Sequence, residues 1–62
     1  MSSGQTRRTP LLSVVRRRWP AWDAAEAERA IRRGEILVEG RVLVNPASQV
    51  RPDAPLRHAP PA

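Results

Sequence analysis

Residues 36–44, "ILVEGRVLV", constrain the fold more than any other stretch of this chain. Two apolar, β-branched runs are divided by Glu39–Gly40, so the backbone reverses within two residues and the runs pair as short antiparallel strands. Gly40 supplies the positive φ of a tight turn. Asn-Gly or Asp-Gly would state that turn more strongly than Glu-Gly does.

Helical segments precede the hairpin. In "WDAAEAERAIRRG", Asp23 is an N-cap and Glu26, three residues on, completes a capping box. Trp22 stands just before the cap, placed as a hydrophobic staple over Ala27. At 100° per residue Ala24, Ala27, Ala30 and Ile31 share one face, with Arg29, Arg32 and Arg33 on the other side. Gly34 is a good C-terminal stop. Further upstream, "TPLLSVVRRRW" reads as a first helix. Thr9 caps it, Pro10 takes its first position, Leu11, Leu12, Val14 and Val15 form an apolar stripe, and Trp19 follows one turn past Val15. Arg16, Arg17 and Arg18 fill its last turn, where positive charge suits the helix dipole, and Pro20 ends it.

Behind the hairpin, "NPASQV" is a loop leading to an extended piece near Gln49–Arg51. "RPDAP" is a turn with Pro52 and Asp53 in the turn positions. Leu56–His58 can add a last strand. The fold class expected is therefore α+β, with two N-terminal helices packed on a small antiparallel sheet. Residues 1–8 form a polar, basic arm expected to be disordered, 9–58 a single domain, and 59–62 a linker or tail.

At 62 residues without a cysteine, the chain has no disulfide or cysteine-zinc support, and its core must come from a few aliphatics, two tryptophans and many alanines. No apolar run approaches the roughly 18 residues that span a bilayer. The opening "MSSGQTRRTPLL" lacks the features of a secretory signal, so no membrane partner and a cytoplasmic location are expected.

Charge placement carries the functional signal. All eleven basic residues are arginine, against six acids, for a net charge of +5. Residues 1–18 hold Arg7, Arg8, Arg16, Arg17 and Arg18 with no acid, whereas the remainder sums to zero. Coding bias in a GC-rich genome explains arginine over lysine, but not this uneven placement. Charge gathered at one end is the footprint of a polyanion binder.

Catalysis finds little support. His58 is the one histidine and sits among prolines, Ser13 and Ser48 have no base beside them in sequence, and the three glycines are scattered rather than gathered in a phosphate loop. Glu28 and Arg32 make an i,i+4 pair of the kind found on solvated faces. No enzyme activity, metal or cofactor is expected. An arginine guanidinium binds phosphate bidentately and stacks on exposed bases, and without Phe or Tyr the sheet is no aromatic platform. Trp19 and Trp22 are read as core residues.

From Trp22 onward, "WDAAEAERAIRRGEILVEGRVLVNPASQVRPDAPL" resembles the S-four RNA-binding domain, the module named after small-subunit ribosomal protein four. The likeness rests on the cap followed by Glu26–Ala27, the pair Ala30–Ile31, Gly34, the hairpin, Pro46, and "VRPDAPL" where the family has V-x-P-G-D. The chain departs from the family in three places. "RRTPLL" replaces the usual Arg-Leu-Asp, making Arg8 the equivalent arginine. Asp23–Ala24 stands where many members carry Ser-Arg, and Glu39 replaces the turn Asn. The resemblance implies an αL-type fold and binding of structured RNA, ribosomal RNA first and transfer RNA second, at or near the ribosome. The ending "PLRHAPPA" is similar to the junction that follows this domain in hemolysin-A-like rRNA 2′-O-methyltransferases. That likeness keeps open an isolated recognition module of such an enzyme.

The RNA contacts expected to matter most are Arg8, Arg16, Arg17 and Arg18, then Arg32, Arg33 and Arg41, with Arg51 at the rim. Two other readings remain: a small winged-helix-like DNA binder, opposed by a second helix without Asn, Gln or Lys for base readout, and a protein-interaction module whose arginines serve solubility.

Overall fold

The computed structural model describes residues 7–60. Expectations for 1–6 and for 61–62 lie outside the described residues. Along the chain run β1 (Thr9–Pro10), α1 (Leu11–Arg18), α2 (Ala24–Arg32), β2 (Ile36–Val38), β3 (Arg41–Val42), β4 (Gln49–Val50) and β5 (Leu56–His58). Two helices and two small antiparallel sheets make this an α+β fold. One sheet is the ladder β1–β4, and the other has the order β3-β2-β5.

The second helix begins as its sequence dictates. Asp23 accepts from Glu26 N at 2.8 Å through Oδ1, and Glu26 Oε1 accepts from Asp23 N at 3.1 Å, which closes the capping box. At the other end Gly34, at φ +76°, donates to Ile31 O, and Glu35 N donates to Ala30 O. These two bonds are the Schellman pair that satisfies the last carbonyls of α2. Ala27, Ala30 and Ile31 are buried, while Ala24 lies outside the buried stripe.

The first helix begins differently from its sequence reading. Thr9 does not cap it and Pro10 is not its first helical residue. Pro10, at φ −60° and ψ 140°, is the extended residue before Leu11, and no side chain caps the helix. Thr9 and Pro10 pair instead with Val50 and Gln49 as β1. The free N–H groups of the first turn are met from the loop ahead of β4: Leu11 N donates to Ser48 O at 2.8 Å and Leu12 N to Pro46 O at 3.0 Å. An Asx turn, with Ala47 N on Asn45 Oδ1, shapes that loop.

The hairpin forms as expected, with Val38 opposite Arg41 across a two-residue turn. Both turn residues have positive φ, +52° at Glu39 and +82° at Gly40, the signature of a type I′ turn whose twist matches the strands. Strand β5 pairs along the other edge of β2, with Ile36 opposite His58 and Val38 opposite Leu56. Period-two alternation turns Ile36 and Val38 into the core. They meet Leu11, Val14 and Val15 of α1, Ala27, Ala30 and Ile31 of α2, and Val50 and Ala54. The alanines keep the helical layer thin.

Trp19 and Trp22 pack against this core, half-buried and stacked on each other with ring centroids 5.1 Å apart. The His58 ring stands edge-on to Trp22 at 5.0 Å, and its Nε2 lies 3.0 Å from Glu35 Oε1. His58 therefore belongs to a packed cluster that joins the helix junction to the sheet.

Candidate nucleic-acid interface

All eight arginines selected from the sequence are exposed. The fold brings them together unequally. Arg8, Arg41 and Arg51 line one open groove of about 520 Å³ between the hairpin turn and the β1–β4 ladder. Each arrives from a different segment, and local structure explains each arrival. Thr9 pairs with Val50, so antiparallel register carries Arg8 and Arg51 to the same end of that ladder. Arg41 is delivered by the tight turn, directly across from Val38. Val38, Leu43 and Val50 contribute apolar surface to the groove, and Ser48 and Gln49 polar surface.

Glu39 stands in the same groove, with Oε2 3.2 Å from Arg51 Nη2. Both side chains are about half exposed, 47% and 51%, so the pair is worth little by itself, about 0–1 kcal/mol. The contact runs from the hairpin turn to Arg51, the residue after β4. Three guanidinium groups against one carboxylate leave the groove with a positive excess.

A second hollow, of about 300 Å³, shares no lining residue with the first. Arg17 and Arg18 line it, opposite Pro52 and Asp53. The Arg18 guanidinium carbon also lies 5.1 Å from the Trp19 ring centroid, a cation–π arrangement that holds the side chain near the surface of the tryptophan pair. Arg16 is exposed on α1 and lines neither hollow. Arg32 and Arg33 sit at the far end of α2, where Arg32 Nε donates to Glu28 Oε2 at 2.9 Å. That pair neutralises one of the two charges.

The acids account for much of the difference between these arginines. Asp23 and Glu26 are committed to the capping box, Glu28 to Arg32, Glu35 to His58 and Glu39 to Arg51. Among the described residues Arg8, Arg16, Arg17, Arg18, Arg33 and Arg41 form no ion pair within 4.0 Å. Unpaired guanidinium groups are the ones free to release counterions and bind phosphate. The described residues include no group of three His, Cys, Asp or Glu placed to hold a metal, and no helix long and apolar enough to cross a membrane.

Sequence reasoning missed Glu39, Ser48 and Gln49 as groove residues, and missed that Arg8, Arg41 and Arg51 line the same groove. No local signal reports them, because the groove depends on the pairing of Thr9–Pro10 with Gln49–Val50. No protein-family model, curated protein or solved structure matches the chain.

Proposed function

We propose that this chain is an RNA-binding module of the S-four type, recognising structured RNA by arginine–phosphate contacts and shape. Ribosomal RNA is the first choice of partner and transfer RNA the second, met in the cytoplasm at or near the ribosome. The module acts by binding alone. The observation that carries the reading is the convergence of Arg8, Arg41 and Arg51 on one groove, with Arg17 and Arg18 lining a separate hollow. Arginines present only for solubility would have no reason to arrive from three separate segments.

RNA is favoured over DNA by what the helices offer. Direct readout of a DNA sequence draws on Asn or Gln for adenine as well as Arg or Lys for guanine, presented in the major groove by a helix or ribbon. The exposed side of α2 carries Arg29, Arg32 and Arg33, with Arg32 engaged by Glu28. A shallow basic surface suits the wide minor groove and phosphate ridges of A-form RNA.

The test is a binding titration at two salt concentrations with a structured rRNA hairpin and a DNA duplex of equal length. Preference for the RNA that persists at the higher salt is the expected result. Equal binding to both, lost together as salt rises, would reduce the surface to a generic polyanion patch and overturn the reading.

A further inference from the structure

Phosphate binding leaves one residue of the groove without a purpose. Glu39 stands among three arginines and lowers their attraction for any anion. The turn does not require it either, because a residue at φ +52° is better served by Asn, Asp or Gly. Its pairing with Arg51 is half exposed and contributes little stability. A side chain that weakens both the turn and the phosphate field is accounted for by a ligand that uses its carboxylate.

We propose that the groove takes a single unpaired guanine nucleotide of the bound RNA, with Glu39 accepting hydrogen bonds from the guanine edge while Arg8 and Arg41 hold the flanking phosphates. This inference rests on the RNA-binding reading. Its chemistry follows from the donor patterns of the bases. An ionised carboxylate only accepts, and its two oxygens offer about four lone-pair sites. Guanine alone among the four bases presents two adjacent N–H donors, N1–H and the N2 amino group, on its Watson–Crick edge. Adenine and cytosine present one amino donor beside an acceptor, and uracil one N–H between two acceptors. Those edges are open to protein only where the base is unpaired, as in bulges and loops.

The geometry suits this occupant. Arg51 Nη2 donates to Oε2 at 3.2 Å, while Oε1 has no hydrogen-bond partner among the described residues. Oε2 retains a lone pair, so both oxygens remain available to the two guanine donors. Leu43, partly buried, is the apolar side chain of the groove with most surface to offer the base, since Val38 and Val50 are buried in the core. At about 520 Å³ the groove falls within the range of small-molecule sites, roughly 300–1,000 Å³.

The experiment uses five RNA hairpins, identical except for one position that is a bulged G, A, C or U, or is fully paired. Each is titrated by fluorescence anisotropy at one salt concentration against the full chain and its E39Q and E39N variants, with far-UV circular dichroism as the folding check. E39N is the second variant because Asn suits the turn, so a lost preference cannot be blamed on a damaged hairpin. The full chain should bind the bulged-G hairpin about tenfold more tightly than the others, the scale of a good bidentate base contact. In both variants the five affinities should fall within about twofold of one another. Equal binding of all five by the full chain would overturn the guanine site while leaving RNA binding intact. A guanine preference that survives in E39Q and E39N would move the site elsewhere. Uniformly tighter binding in E39Q would make Glu39 a mere counterion of Arg51. Failure of every hairpin to bind would overturn the RNA reading itself, and this inference with it.

Discussion

Ile31 offers the sharpest test of how this chain stays folded. The largest fully buried side chains are Leu11, Ile31, Ile36 and Val15, and Ile31 is wholly shielded where α2 meets the core shared with α1 and β2. A domain of this length is expected to have a stability of roughly 3–9 kcal/mol. Truncating a buried isoleucine to alanine removes apolar contact and leaves a cavity, at about 2–5 kcal/mol. Ile31→Ala should therefore remove a large share of the stability, and unfold the chain if its stability lies at the low end of that range. Ile31→Val, which removes a single methyl, should cost only about 0.5–1.5 kcal/mol. In a small domain each kcal/mol lowers Tm by about 4–8 °C. Urea titrations followed by far-UV circular dichroism would separate the three proteins by midpoint, with similar slopes if the denatured states are alike. Saturating RNA offers a second readout, since a ligand at about 100 times its Kd adds about 2.7 kcal/mol to the folded state and should draw Ile31→Ala back towards it. An Ile31→Ala protein that stayed folded with less than about 1 kcal/mol lost would refute the claim that so few side chains carry the core.

Three further outcomes are expected. Asp23→Ala removes the acceptor for Glu26 N and should cost about 1 kcal/mol, read as a lowered urea midpoint. Gly40→Ala meets no atom within 4 Å of the added carbon, so its cost is conformational, about 1–2 kcal/mol for forcing an L-residue to φ +82°, and a D-alanine at the same position should restore the midpoint. Replacing Arg16, Arg17 and Arg18 together with alanine should flatten the plot of log affinity against log salt by about 0.7–0.9 for each lost phosphate contact, up to three contacts. An unchanged slope would remove α1 from the interface.

Elements with short-range causes were legible in the sequence. The capping box, the stop at Gly34 and the turn at Glu39–Gly40 each depend on residues a few positions apart, and each forms where expected. The start of α1 was misread because its cause is distant. Thr9 and Pro10 look like a cap and a first helical position, but pairing with Gln49–Val50 holds them extended, and carbonyls of Pro46 and Ser48 take over the capping. The candidate site divides in the same way. Charge placement pointed to Arg8 and Arg16–Arg18, whereas Arg41 and Arg51 lie in the electrically neutral remainder and ranked only as second-choice and rim contacts. Their assembly into a groove, and the presence of Glu39 within it, required a strand register that two-residue strands do not announce.

The β1–β4 ladder also bears on the order in which the molecule can be built. Residues 9–12 find their backbone partners only at 46–50, so most of the chain must be synthesised before α1 can be anchored. Helix α2 and the hairpin rely on near neighbours and can form earlier, whereas the closing step is the slow, long-range one. That same step carries Arg8 to Arg51. The groove is therefore incomplete in any chain in which that ladder has not closed, whatever else has folded. On the proposed function, an RNA that binds the complete groove would favour the closed ladder by mass action.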